Sequence, residues 1–224
     1  MVSFATILEA WYSAVYTGLT MTGPLLALLA VTAYAALHSA LASLWTKAQA
    51  RRLLGPAADR MYRLGFNVVG ILPLIPVLAI PLFEPGRPLY AVSMPWAGIL
   101  VACQIGAAIV VLIGVTQTDP WHFLGVRQLV EGESGRPATL VTTGLYRYVR
   151  HPLYTAGAAF LWLTPIMTTT LLALYAALTA YLYLGSLLEE RRLHAEFGEA
   201  YADYQRRVPR MIPRLRRSAA AKPK

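Results

Sequence analysis

HPLYTAGAAFLWLTPIMTTTLLALYAALTAYLYLGSLLEE, residues 151–190, is the stretch whose reading decides the fold. From Pro152 to Leu188 it carries no charged residue. As one helix rising about 1.5 Å per residue, it would far exceed the roughly 30 Å hydrocarbon core of a bilayer. Thr164–Pro165 interrupts it, and proline both removes a backbone donor and crowds the preceding turn. The run therefore reads as a helical hairpin that turns near Pro165–Thr170. A turn centred there returns Leu188 to the depth of Pro152, so His151 and Tyr154 face Glu189 and Glu190 across one helix pair.

The rest of the chain supports a membrane setting. Of 224 residues, 57% are hydrophobic and 14% charged, with a mean hydropathy of +0.49, where soluble domains carry about 25% charged residues. Three more apolar runs, roughly 23–45, 62–83 and 95–116, are long enough to span. The expected fold is all-α: a polytopic membrane protein with about five transmembrane helices, the last two forming the hairpin, and a cytosolic C-terminal interfacial segment. It is read as one domain, 1–224. Residues 1–117 supply the N-terminal spans, 118–213 the binding loop, hairpin and lid, and 214–224 a basic tail.

MVSFATILEAWYSAVY lacks a basic leader and carries Glu9. It reads as an interfacial lead-in anchored by Trp11, Tyr12 and Tyr16, or as an extension of the first span, rather than a cleaved signal peptide. Cys103 is the single cysteine, so no disulfide can form within one chain.

Nineteen of the 20 Lys and Arg residues fall in the segments after the first, third and fifth spans; Arg87 alone lies between the second and third. The positive-inside rule makes that shared side cytoplasmic, with the N-terminus outside and the C-terminus inside, in a cell (inner) membrane. The net charge of +9 is then accounted for by insertion and by anionic membrane lipids. No nucleic-acid motif accompanies it. No internal repeat of the transporter kind is visible, and the oligomeric state stays open.

Polar chemistry concentrates at the mouth of the hairpin. Pro152 suits the first position of a helix, whose free N–H groups favour an anion. Arg147 and Arg150 reinforce that preference, while Glu189 and Glu190 offer acceptors to hydroxyls or a cation. Downstream, Leu193, Phe197, Tyr201 and Tyr204 recur at intervals of four, four and three, one aromatic helical face. This face reads as an interfacial helix or as a lid over the site, with Pro209 and Pro213 turning the chain back. His38, inside the first span, reads as a helix–helix hydrogen bonder. His38, His122, His151 and His194 have neither close pair spacing nor cysteine partners, so no metal site is expected.

Arg150-His151-Pro152-x-Tyr154, then Glu189-Glu190, then Phe197-Gly198-x-x-Tyr201-x-x-Tyr204 and the prolines Pro209 and Pro213, resemble the integral membrane methyltransferases related to isoprenylcysteine carboxyl methyltransferase. The stretches around HSALASLW, TDPWHFLGVRQL and GRPATLVTTGLYRYVRHPLY look like the methanethiol S-methyltransferase branch. The resemblance implies S-adenosyl-L-methionine as methyl donor, held between the last two spans and the C-terminal segment. His151, Pro152, Tyr154, Glu189 and Glu190 are then cofactor-pocket residues, joined by Tyr146, Arg147, Arg150, Tyr201 and Tyr204.

Methyl transfer from a sulfonium needs alignment and desolvation more than acid–base chemistry. A neutral thiol must also lose its proton, and nearby cations favour the thiolate. Arg127, Arg147 and Arg210 are the candidates for that electropositive wall, with His122 as base. The implied partners are membrane lipids and a small or lipophilic methyl acceptor. Small residues Ala156, Gly157, Ala158 and Ala159 serve helix packing or leave space for that acceptor. Rival readings are carboxyl methylation of an isoprenylated cysteine, N-methylation of a phospholipid amine, a sterol-reductase-like reductase, and a non-catalytic scaffold.

Overall fold

The computed structural model describes residues 21–118, 120–131 and 139–213. The expected N-terminal anchors Trp11, Tyr12 and Tyr16, and the basic tail 214–224, lie outside the described residues.

Helix α1 spans Thr22–Leu41. The first apolar run does not continue as one helix, because Ser43 caps a separate helix α2, Leu44–Leu54, accepting from the Thr46 N–H. The next span is built from α3, Pro56–Ile71, and α4, Leu74–Phe83, with Pro73 at the junction. Strand β1, Pro88–Ala91, precedes α5, Trp96–Thr116. Two short helices follow, α6 (Pro120–Leu124) and α7 (Val126–Glu131), then a 3-10 turn at Gly144–Arg147. The hairpin comprises α8, Pro152–Trp162, strand β2, Ile166–Thr168, and α9, Thr169–Phe197; α10, Glu199–Arg207, is the last helix among the described residues.

Among the described residues, four helical segments are long and apolar enough to cross a membrane: Thr22–Leu41, Pro56–Phe83, Trp96–Thr116 and Thr169–Phe197. The protein is a multi-pass membrane protein. The incoming hairpin arm is different: α8 has 11 residues, about 16 Å of helix. Residues 163–168 complete that arm in non-helical form. The turn falls where Pro165 stands, and Thr168 caps α9 by accepting from the Leu171 N–H.

An unpredicted element fastens this turn. β2 pairs antiparallel with β1. The Thr169 N–H donates to the Arg87 carbonyl, and the Tyr90 hydroxyl donates to the Thr164 carbonyl. These bonds satisfy backbone groups that a broken helix leaves open. Arg87 thus sits at the end of α9 opposite Glu189 and Glu190.

Two helix pairs dominate the packing, α5 with α8 and α1 with α9. Each hairpin arm therefore leans on a different neighbour. Gly114 makes the first contact possible, since a Cβ there would lie 2.8 Å from Leu153. Ala156 is buried in α8, in keeping with the packing role of small residues. Ala27 and Val31 (α1), Val77 (α4), and Leu174 and Leu178 (α9) form the other core. Leu25, Leu29, Ile75, Leu82, Ile105 and Leu112 are exposed, as lipid-facing positions require.

Gly198 joins α9 to α10 at φ 54°, ψ −126°, a conformation open essentially to glycine alone. A Cβ there would meet no atom within 4 Å, so any penalty is conformational rather than steric. Gly198→Ala is expected to cost about 1–3 kcal/mol and to loosen the segment beyond it. Faster tryptic cleavage at Arg206 and Arg207 in the folded variant is the check.

Candidate functional site

Glu189 and Glu190 follow directly on the uncharged run of α9, which ends at Leu188. Across from them, Pro152 occupies the first turn of α8 and leaves His151 just ahead of it. The hairpin brings the two ends to one depth, as its length requires. His151 Nε2 lies 3.3 Å from Glu190 Oε1, and His151 Nδ1 lies 3.4 Å from Glu189 Oε2. Tyr154 stacks on the His151 ring, with centroids 5.4 Å apart.

Glu190 is the hub. Arg150 donates to its Oε1 through Nε at 2.8 Å and Nη2 at 2.6 Å. Its Oε2 accepts from Arg210 Nη2 at 2.7 Å and from Gln205 Nε2 at 3.0 Å. The Arg150 and Glu190 side chains are only 8% and 5% exposed, so this is a buried charge pair with its donors and acceptors engaged. Burial alone would raise the Glu190 pKa; the hydrogen bonds from Arg210 and Arg150 outweigh it and hold the carboxyl down at about 2. The Glu190 carboxylate in turn raises the pKa of Arg210.

The C-terminal segment closes over this hub. Gly198 turns the chain so that Tyr201 and Tyr204 are buried. The Tyr204 hydroxyl donates to the Tyr146 carbonyl at 2.6 Å. Beyond α10, the Arg150 and His151 N–H groups donate to the carbonyls of Pro209 and Arg210 at 2.9 and 3.0 Å. Thr155 Oγ1 donates to the Met211 carbonyl at 2.7 Å. Arg150 Nη1 donates to the carbonyls of Gln205 and Val208. The predicted lid is thus a strap laid against the start of α8.

Two cavities flank the hub. One, about 150 Å³, involves Tyr146, Arg150, Glu189, Leu193, Phe197 and Tyr201. The other is an open cleft of about 450 Å³ bordered by Glu190, His194, Gln205 and Arg210. Glu189 is the accessible carboxylate, 46% exposed. The Tyr201 hydroxyl is fully buried and makes no well-formed hydrogen bond. Burial, with the Glu189 charge for Tyr146 and the Glu190 charge for Tyr201, pushes both phenols up to about 12. They are donors at neutral pH.

Of the residues singled out in the sequence, Tyr146, Arg150, His151, Pro152, Tyr154, Glu189, Glu190, Tyr201, Tyr204 and Arg210 come together. Arg150 differs in its role: it is engaged by Glu190 and the strap rather than held ready for an anion. Arg147 is exposed and folds over the Tyr148 ring, 4.6 Å from its centroid, and borders neither cavity. Arg127 sits on α7, which packs against α3, and also borders neither. His122 belongs to α6; its side chain lies outside the described residues. Gln205 and Thr155 went unnoticed in the sequence. Gln205 follows Tyr201 by four, on the same helical face, which is the signal that marks it.

These features define a multi-pass helical membrane protein with a carboxylate–guanidinium site strapped shut at one end of a hairpin. A phospholipid methyltransferase family model matches residues 101–200. A methanethiol S-methyltransferase from a Pseudomonas species is 32% identical over 190 residues, covering 82% of this chain and 71% of that protein. One from Crocosphaera subtropica is 36% identical over 108 residues, 47% of this chain and 42% of that protein. A protein-S-isoprenylcysteine O-methyltransferase from Mus musculus is 34% identical over 90 residues, 38% of this chain and 31% of that protein. The chain thus spans under half the length of several curated relatives it matches, and no solved structure matches it. The chain belongs to the family of integral membrane methyltransferases that includes the methanethiol S-methyltransferases.

Proposed function

We propose that the protein transfers a methyl group from S-adenosyl-L-methionine to a small or lipophilic thiol of the methanethiol type. The observation that carries this reading is the convergence of Arg150, His151, Glu189, Glu190, Tyr201 and Arg210 at one end of the hairpin, in a chain with a methanethiol S-methyltransferase relative matched over 82% of its length. The donor and acceptor set suits the cofactor. Glu189 offers an accessible carboxylate to hydroxyls, and Tyr201, which lines the smaller cavity, has a buried hydroxyl that lies beside the Arg150 guanidinium and makes no well-formed hydrogen bond. The smaller cavity falls short of the roughly 300–1,000 Å³ typical of ligand pockets. A whole nucleoside ligand therefore displaces part of the strap and reaches into the adjoining cleft.

The cofactor supplies an electrophilic methyl on a sulfonium. The chain's own residues position and enclose. Tyr146, Glu189, Phe197 and Tyr201 line the smaller cavity, His151 and Tyr154 hold Glu189 in place without lining it, and Glu189 accepts hydroxyl donors. Arg150, Glu190, Arg210 and Gln205 hold the strap and exclude water, which strengthens the remaining electrostatic contacts. In this reading the site faces the cytoplasm of a cell membrane, the side that carries the basic segments.

Tyr201→Phe removes that buried hydroxyl. The ligand-free protein is expected to gain up to about 1 kcal/mol, while S-adenosylhomocysteine affinity falls on the order of tenfold. Thermal unfolding and calorimetry on the same preparations check both signs.

Transfer of a labelled methyl from S-adenosylmethionine to methanethiol, a prenylated cysteine analogue and phosphatidylethanolamine, each supplied to the reconstituted protein, tests the acceptor class. The thiol is expected to be labelled most efficiently. Preferential labelling of the carboxylate or the amine contradicts the thiol assignment.

A further inference from the structure

The smaller cavity has a wall that neither the hairpin nor the strap supplies. Thr139, Leu140, Val141 and Tyr146 line it from the connection leading into α8, and Thr118 lines it from just beyond the end of α5. Within residues 139–151 the only regular element is the 3-10 turn Gly144–Arg147. Such a segment keeps one shape only where its backbone groups find partners outside it.

Gln117, the C-cap of α5, provides one. Its Oε1 accepts from the Leu145 N–H at 3.0 Å, one residue before Tyr146. Gly144 lies against the same carboxamide. Its φ is 61°, and a Cβ there would come 2.5 Å from Gln117 Oε1 and 2.7 Å from Cδ and Nε2. Any side chain at 144 would therefore push the carboxamide away or lift the turn off it. Gly114, one turn earlier on α5, receives the same segment: a Cβ there would lie 2.8 Å from Leu153 of α8 and 3.7 Å from Leu145. The strap holds the turn from its other side, through the Tyr204 hydroxyl on the Tyr146 carbonyl. The wall thus takes its position from a membrane-spanning helix as well as from the strap.

We propose that Gln117 is a positioning residue for the cofactor, holding the 139–146 wall in its binding shape before the ligand arrives. The inference deepens the cofactor-site reading above and rests on it. Gln117 is not among the residues that line the cavity, so its influence passes through Leu145 and Tyr146. Without this anchor, the cost of ordering the wall moves from folding to binding. The effect falls on cofactor affinity and spares methyl transfer in the saturated enzyme.

Gln117→Leu keeps the size of the side chain and removes the acceptor. In the reconstituted protein it is expected to raise the S-adenosylmethionine KM, and to weaken S-adenosylhomocysteine binding, on the order of tenfold. At saturating cofactor kcat should stay within about twofold of wild type, with the unfolding temperature retained. A residue needed only for folding would lower the unfolding temperature and the active fraction instead, leaving KM alone.

Gly144→Ala attacks the same contact from the opposite side and should show the same split between KM and kcat. The double variant should lose about as much affinity as either single one, because one contact can be lost only once. Should Gln117→Leu fail to fold, Gly144→Ala alone reads the split. Unchanged cofactor affinity in the folded variants, a lower kcat at unchanged KM, or additive losses in the double variant overturn the assignment while leaving the cofactor site in place. A wild type that binds no S-adenosylhomocysteine overturns that site and the proposal together.

Discussion

Glu190→Ala is expected to lower stability by about 3–5 kcal/mol, the cost of leaving a buried ion pair half-broken. Arg150, 8% exposed, would lose its charged partner while its guanidinium stayed under the strap. Arg210 and Gln205 would lose theirs at the same time. The strap should detach at residues 208–211, because Arg150 also ties the carbonyls of Gln205 and Val208. A lower unfolding temperature together with rapid tryptic cleavage at Arg210 is the expected pair of observations. Glu190→Gln keeps one acceptor and should fall between alanine and wild type. An unchanged unfolding temperature in both variants would show that the hub does not hold the strap.

The same pair sets a pH response. Its folded carboxyl pKa, about 2, lies below the ordinary glutamate value near 4.3. The unfolded state thus binds the proton more readily. The stabilisation is fully present above about pH 5 and is lost as pH falls through the folded pKa near 2. Wild type should lose stability across that acid window more steeply than Glu190→Gln does.

Glu189→Ala is expected to do the reverse: leave the fold alone and remove ligand affinity. Its side chain is 46% exposed, with His151 3.4 Å away and Tyr154 as a hydrogen-bond donor, so it ties down far less of the fold than Glu190 does. As an acceptor for cofactor hydroxyls it would make a charge-assisted bond worth about 1.5–3 kcal/mol, which is roughly 10–100-fold in affinity. Calorimetric titration with S-adenosylhomocysteine, beside unfolding curves that overlay wild type, checks it. On that reading the two adjacent glutamates are expected to divide the work. Equal affinity losses in Glu189→Ala and in a folded Glu190→Gln would contradict that division.

The hairpin was legible because its evidence is arithmetic: an uncharged run too long for one crossing, broken at Pro165. The pairing of His151 with Glu189 and Glu190 followed from the same lengths. Sequence could not show which glutamate was taken. That depends on Arg210 and Gln205 arriving from beyond Gly198, whose turn direction is set by backbone dihedrals rather than residue type alone. The β1–β2 clasp was invisible for a similar reason: Pro88–Ala91 and Ile166–Thr168 are four- and three-residue segments whose partners lie far apart in the chain. Arg147 misled because its position in RYVR says nothing of its side chain, which folds back on the neighbouring Tyr148. His38 read correctly as a helix–helix hydrogen bonder: its Nδ1 lies 2.7 Å from the Tyr181 hydroxyl of α9.

The central claim is that the strapped hub at the hairpin mouth is a cofactor site, and titrating the detergent-solubilised protein with S-adenosylhomocysteine tests it most directly. Saturable binding to wild type, lost in His151→Ala and Glu189→Ala variants that remain folded, is the predicted result. A folded, monodisperse wild type that binds none would contradict the account.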